Sequence, residues 1–274
     1  MGCRTLENLR LFNQSKTMKP TVIFQTTFTG RGKFNGFRGQ PWYAHRAGIF
    51  EKYTVQNLIN QTDKDFIWWL CFRPQEKDNP VTNRIRKALN ESGIDYVMTF
   101  NGQIMYDDRA EEKNKDLVER TTKSLKEIAP KINTDYVYEV HFDSDDMVHK
   151  RFVEVIKDKP FKERGALFMK DGFVFTPDER VAKWYNPKAQ QNYTIMYPKE
   201  IYLDAKKKYE YQNGFKSHEE IPDKFNAEEL PTGMFCSMIH GTNISTVWSH
   251  PFRGEEYYYD DEKLFIINQF ICQI

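Results

Sequence analysis

Seven consecutive residues, F-I-W-W-L-C-F at 66–72, are apolar without a break. A strand with one face in water alternates apolar and polar residues, so an unbroken run predicts a strand covered on both faces, inside a sheet that carries helices on each side. The neighbouring sequence supplies those helices. Residues 43–60 repeat Ile49, Tyr53, Val55, Leu58 and Ile59 at roughly helical spacing, with Arg46 near the start. Residues 79–92 turn Ile85 and Leu89 inward, and 112–128 do the same with Leu117, Thr121, Leu125 and Ile128. β-rich runs stand between them at 21–28, 94–100 and 136–142. Such alternation predicts an α/β chain with a mostly parallel sheet flanked by helices, whose ligands lie beyond the carboxyl ends of the strands.

After residue 161 the pattern shortens into β-like pieces, which predicts a smaller antiparallel part in the C-terminal half. Residues 166–169 and 173–176 flank Lys170-Asp171-Gly172, and Asp-Gly signals a hairpin turn. Strands follow at 181–185 and 193–197, a helix at 199–211, a helical turn capped by Ser217 with Glu220 in the capping-box position, a strand at 233–239 and a last helix at 264–271. With 274 residues, 39% of them hydrophobic, the chain can bury one large core. It reads as an extension, 1–19, and a single domain, 20–274, made of halves 20–150 and 151–274. Forty basic and 39 acidic residues leave a formal charge of +1, so no long-range field draws nucleic acid or an anionic membrane. Cys3, Cys71, Cys236 and Cys272 stand far apart with no C-x-x-C pair, which predicts free thiols in a reducing, cytoplasmic setting. No run approaches the roughly 20 apolar residues of a membrane span, and 1–19 lacks the apolar core of a signal peptide, so a soluble chain is expected.

The chemistry concentrates where the strand at 136–142 ends, in D-S-D-D: Asp143, Ser144, Asp145 and Asp146. Three carboxylates at one strand end repel one another and lose hydration, a cost that a hard divalent cation holding phosphate oxygens would offset. The competing reading is a turn that caps a helix beginning at Met147, though a cap needs only one acid. An EF-hand loop counted from Asp143 would need Gly where Val148 stands, and a D-x-D-x-T phosphatase motif would need Thr where Met147 stands. Both fail. The loop at 29–40 carries four glycines with Arg31, Lys33 and Arg38 but has neither the Walker ending nor the G-x-G-x-x-G spacing, so it is a phosphate-wrapping candidate without a motif. Gln25, Thr26, Thr27 and Phe28, at the first strand's end, offer an amide, two hydroxyls and a ring, a set suited to a pyrimidine base such as uracil or thymine.

Three segments carry a resemblance: 46–70, R-A-G-I-F-E-K-Y-T-V-Q-N-L-I-N-Q-T-D-K-D-F-I-W-W-L; 141–148, H-F-D-S-D-D-M-V; and 239–246, I-H-G-T-N-I-S-T. In these the chain resembles glycosyltransferases of the Rossmann-like GT-A fold, and more narrowly the rhamnosyl transferase family. The resemblance implies transfer of a sugar, rhamnose, xylose or similar, from a UDP- or dTDP-sugar to a glycan hydroxyl, with inversion. It implies Mn2+ or Mg2+ as cofactor, with Asp145 as main ligand, Asp143 on the ribose or the metal, and His240 as third ligand, with His250 in reserve. Arg46 and Ser144 join the donor-binding set and Asp146 orients the donor sugar. The base falls to Glu219 and Glu220, with Asp178 and Glu179 in reserve. A metal-dependent phosphoesterase is the second reading. The third is a non-catalytic glycan-binding module built on Trp184, Trp248 and Tyr257 to Tyr259.

Overall fold

The computed structural model describes residues 19–29, 39–102, 104, 115–212, 214, 217–243 and 257–271. The expected extension apart from Lys19, most of the glycine-rich loop, His250 and Trp248 lie outside them.

Among the described residues, seven strands form the larger sheet in the order β10-β6-β9-β4-β1-β2-β3. They are β1 (Thr21–Thr27), β2 (Ile67–Cys71), β3 (Tyr96–Thr99), β4 (Tyr136–His141), β6 (Gly165–Phe168), β9 (Tyr193–Pro198) and β10 (Asn226–Glu229). All neighbours pair in parallel except at β9, which runs antiparallel to both β4 and β6. The doubly covered strand is β2, buried at all five positions. Successive side chains leave it on opposite faces. Trp68 joins Phe24, Val140 and the helix residues Tyr43, Phe50, Leu58, Ile85 and Leu89. Trp69 joins Ile23, Val137, Leu125, Ile128 and Tyr202 on the other. The first face is covered by α1 (Gln40–Ile49), a π-helical turn (Phe50–Thr54), α2 (Val55–Ile59) and α3 (Pro80–Ser92), the second by α4 (Leu117–Ile128). α3 is delimited as its sequence suggests, with the Asn79 side chain accepting from Val81 N and Gly93 in the left-handed region after its end.

A second sheet of five strands, β12-β8-β7-β11-β5, packs beside the first. It comprises β5 (Met147–Val148), β7 (Asp171–Phe175), β8 (Val181–Tyr185), β11 (Phe235–Met238) and β12 (Tyr257–Tyr258). Its pairs are antiparallel except β7–β11. Three expectations are corrected here. Asp171-Gly172 makes no turn, because both residues lie inside β7 and the hairpin is β7–β8, turning through residues 176–180. The reason lies in close approach: a Cβ on Gly172 would meet Cε1 and the carbonyl oxygen of Phe235 at 2.5 Å. No helix starts at Met147, since that residue and Val148 pair with β11, and α5 (Phe152–Lys157) begins later. The expected helix at 199–211 is broken at Asp204 into α6 (Lys199–Tyr202) and α7 (Ala205–Gln212). The chain continues through α8 (Ile221–Lys224) and ends in α9 (Asp260–Ile267), whose Ile266 packs with Phe270, Phe175 and Cys236 under the second sheet. No described helix is long and apolar enough to cross a membrane.

Candidate active site

β1 and β4 are parallel neighbours, with Phe24 opposite Val140 and Gln25 opposite His141, so both strands end at one edge. There β4 runs into the acidic turn, and Phe142 N donates to Gln25 O at 3.0 Å. Five residues after Phe142 the chain re-enters structure as β5, antiparallel to β11 with Met147 opposite Cys236. Antiparallel pairing sets the residues before Met147 beside those after Cys236, which is how Asp145 and His240 meet although 95 positions separate them. Asn57, fully buried on α2, fixes β5 in place: its Nδ2 donates to Val148 O at 2.6 Å and Phe270 O at 2.8 Å, and its Oδ1 accepts from Val148 N at 2.9 Å.

The three acids have different surroundings. Asp145 forms a buried ion pair with Arg46, which rises from α1 beneath the ring of Trp42, 5.4 Å away. Oδ2 of Asp145 also lies 3.1 Å from His240 Nε2 and accepts from Asn243 Nδ2 at 3.2 Å. The Nδ1 of His240 is held by Thr242, through its backbone N at 3.3 Å and its hydroxyl at 2.9 Å, so the ring has one orientation. Burial first, and Arg46 next, hold the His240 imidazole down to about 3, so it is neutral near pH 7. Asp146 is buried and fully engaged: Oδ2 accepts from Gln191 Nε2 at 2.8 Å and Asn192 Nδ2 at 2.9 Å, and Oδ1 accepts from Met238 N at 3.2 Å. Burial, then the charge of Asp143, pushes its carboxyl up to about 6. Asp143 is the most open of the three, with Oδ1 3.5 Å from His141 Nε2 and its amide donating to Asn192 Oδ1 at 3.4 Å. Ser144 is buried, and its carbonyl accepts from Thr54 Oγ1 at 3.3 Å.

Of the four residues expected to hold a base, two serve the core. Phe28 stacks on Phe72 at 5.2 Å, and Thr26 Oγ1 accepts from Trp68 Nε1 at 3.0 Å. Gln25 and Thr27 lie together at the strand end, joined by a 3.2 Å hydrogen bond from Gln25 Nε2 to Thr27 Oγ1. Glu219 and Glu220 stand in a single 3-10 turn, His218–Glu220, capped by Ser217 through Glu219 N. Glu219 is exposed and 3.3 Å from Lys188, Glu220 is half-buried, and the ring of His218 before them is tied by Nδ1 to Ala189 O at 2.7 Å. Asp178 pairs with Arg180 at 3.0 Å and Glu179 with Lys263 at 3.6 Å, both in the β7–β8 turn. The amide side chains of Gln191, Asn192 and Asn243 went unnoticed in the sequence, although Asn243 stands in the quoted I-H-G-T-N segment and Gln191 and Asn192 close a run of three amides, Q-Q-N.

The donor set decides whether a divalent cation fits. Among the described residues no group of three or more His, Cys, Asp or Glu side chains could share one ion. Asp145 and His240 fit as a pair, because two ligands each about 2.1 Å from one ion stand roughly 3 Å apart. Mg2+ and Mn2+ are commonly held by one or two protein groups with water and substrate phosphates completing the shell, so two ligands suffice. Arg46 is the cation that neutralises Asp145 in the structure as it stands.

An open α/β sheet takes its ligands beyond the carboxyl ends of its strands, and there this one gathers an acid, an imidazole and a guanidinium. Residues 39–246 match the model of the family described as "Putative rhamnosyl transferase", and the chain belongs to that family. No curated protein matches its sequence. Among solved structures it is similar to a nucleoside-diphosphate-sugar pyrophosphorylase from Vibrio cholerae RC9, at 13% identity and TM-score 0.40 over 80% of this chain and 92% of that one. It is also similar to an inositol-1-phosphate CTP transferase from T. maritima, at 10% identity and TM-score 0.37 over 81% and 89%.

Proposed function

We propose that the chain is a glycosyltransferase of the GT-A type, moving a sugar from a nucleoside diphosphate donor to a hydroxyl of a glycan. The observation that carries this reading is the meeting of Arg46, Asp145 and His240 at the carboxyl edge of the larger sheet, in a chain of the rhamnosyl transferase family. The strand order supports the fold assignment, with parallel strands interrupted by the single reversed strand β9.

Each residue has a task in this reading. Asp145 and His240 would hold Mn2+ or Mg2+ together with the donor phosphates. The ion, when bound, supplies positive charge to the diphosphate leaving group. Arg46 lies 3.5 Å from His240 Nε2 and can pass from Asp145 to a phosphate oxygen, since guanidinium pairs with either. Asp143, the open acid, is placed for a ribose or sugar hydroxyl, and Gln25 with Thr27 for the base. Asp146 holds the turn's shape through Gln191, Asn192 and Met238 and so orients the donor sugar through the turn.

Incubation with UDP-, dTDP- and GDP-sugars in the absence of acceptor tests the reading, because water can replace the acceptor hydroxyl. Slow release of UDP or dTDP in the presence of Mn2+ is expected. Calorimetry of UDP and dTDP should show binding that chelator abolishes and that Asp145→Asn removes in a chain still folded by circular dichroism, with a lowered melting temperature because Arg46 loses its buried partner. Equal affinity with and without chelator would remove the cation from the scheme. Failure of every sugar nucleotide to bind or turn over would sink the transferase reading itself.

A further inference from the structure

The acidic turn has two sides. Asp145 looks toward Arg46, the neutral ring of His240 and the amide of Asn243. Asp143 looks toward a different set: His141 at 3.5 Å, itself stacked on Tyr193 with ring centroids 5.0 Å apart, and Asn192. The segment that forms this second side, residues 189–192, is gripped from behind. Ala189 O accepts from His218, Gln190 N donates to Met169 O at 2.9 Å, and Gln191 and Asn192 hold Asp146. One tether therefore connects the ring of His218 to the acidic turn, through three residues of buried or half-buried chain.

The turn that carries His218 is held at both of its ends. Ser217 caps it, and Ile221, which follows it, is fully buried. Within it the three polar side chains differ in ways that chemistry can use. Glu219 is exposed and reaches to Lys188. Glu220 donates its amide to Ser217 O at 2.9 Å. His218 is half-buried, and with Nδ1 donating its hydrogen to the Ala189 carbonyl, the neutral ring carries its lone pair on Nε2. An imidazole fixed by a hydrogen bond at one nitrogen, with no hydrogen bond at the other among the described residues, is the arrangement a general base requires.

Resting on the transferase reading, we propose that His218, and neither Glu219 nor Glu220, is the base that receives the proton of the acceptor hydroxyl on the Asp143 side of the turn. As the hydroxyl oxygen forms its bond to the anomeric carbon, its proton passes to His218 Nε2. The bond from that carbon to the diphosphate breaks, and the electron pair leaves on the diphosphate oxygen. Proton loss from the imidazolium to water returns the base. His218 feels burial first, which lowers its pKa, with His141 acting in the same direction and the Ala189 carbonyl, Glu219 and Asp143 opposing it; the balance lies below the ordinary imidazole value. Lys188 engages Glu219 on the exposed side of the turn. The ring is accordingly neutral and able to accept a proton at pH 7.

Three variants separate a base from a structural prop. His218→Asn keeps a nitrogen where Nδ1 donates to Ala189 O and removes Nε2, whereas Glu219→Gln and Glu220→Gln leave the imidazole intact. The expected result is a fall in kcat of at least about 100-fold for His218→Asn, consistent with general-base loss, with unchanged UDP affinity and melting temperature. Added imidazole should restore part of the rate, and the wild-type rate should fall on the acid side with a midpoint below about 6.5. Full transfer activity in His218→Asn, or loss of the rate in Glu220→Gln or Glu219→Gln with that acid limb displaced, would overturn the assignment while leaving the transferase reading standing. Absence of donor binding in the wild-type chain would overturn both, and the UDP titration distinguishes the two failures.

Discussion

Arg46 sets the charge balance of the site at the scale of a single side chain. Its guanidinium and the Asp145 carboxylate are 5% and 9% exposed, so removing one partner leaves a buried, uncompensated charge. Arg46→Met should cost about 3–5 kcal/mol of stability on that ground. It should also free Asp145 and His240 for a cation. Thermal melts of the variant should therefore rise with added Mn2+ by more than those of the wild type; equal shifts would show that the ion does not take the place of the guanidinium. The acids of this site were legible in the sequence because they interrupt an apolar strand, and a local pattern reveals them. Their partners were legible only by resemblance, as Arg46 and His240, or not at all, as Gln191, Asn192 and Asn243. A side-chain amide that grips a carboxylate across 45 residues leaves no mark on its own neighbourhood.

At the scale of elements, α7 is tied to β4 by a buried ion pair. Lys208 on α7 reaches Glu139 on β4 at 2.5 Å, with the ring of Tyr202 4.4 Å from the ammonium and those of Trp69 and Tyr197 at 5.6 Å. Both charges are nearly dry, so Lys208→Met alone is expected to lose about 3–5 kcal/mol, while Lys208→Met with Glu139→Met should recover at least half of it, because both buried charges are then gone. Urea titrations of the two singles and the double complete the cycle, and additive losses would mean that the pair is not coupled. The strands of the larger sheet were legible where every residue is apolar, as at 66–72, because no other element buries such a run. The broken helix after Lys199 was less so: Asp204 accepts from the amides of Lys206 at 3.0 Å and Lys207 at 3.1 Å and so begins α7 itself, a local choice that periodicity does not register.

For the whole molecule the decisive joint is the line along which β7 and β11 press together. Phe235 belongs to β11 of the smaller sheet, yet its ring is buried in the core cluster of the larger one, beside Met234 and against Trp184. Gly172→Ala would drive a methyl group into that ring and into the Phe235 carbonyl, an overpacking expected to cost about 1–3 kcal/mol and to lower the melting temperature. A melt within one degree of wild type would show that the joint is slack. A second, mostly antiparallel part was foreseen from the short β-rich runs, but its composition was not: the runs at 166–169 and 193–197 became β6 and β9 of the larger sheet, and the smaller one borrows Met147 and Val148 from the first half of the chain. A dipeptide signal such as Asp-Gly describes what the backbone can do locally, and here the tertiary need for a side-chain-free position prevailed.

The pairing of β5 with β11 also governs when the site can exist during folding. Residue 145 and residue 240 are brought together by that ladder, and Arg46 meets His240 across 194 positions, so the loop entropy must be met before either contact forms. A fragment that ends before β11 carries Arg46 and Asp145 but not His240, so the constellation is complete only after β11 has emerged. Refolding followed by a fluorescent nucleotide should accordingly show ligand capture tracking the slowest phase of the backbone signal, with no early binding-competent species. Under the transferase reading proposed above, competence would arrive together with the closing of the second sheet.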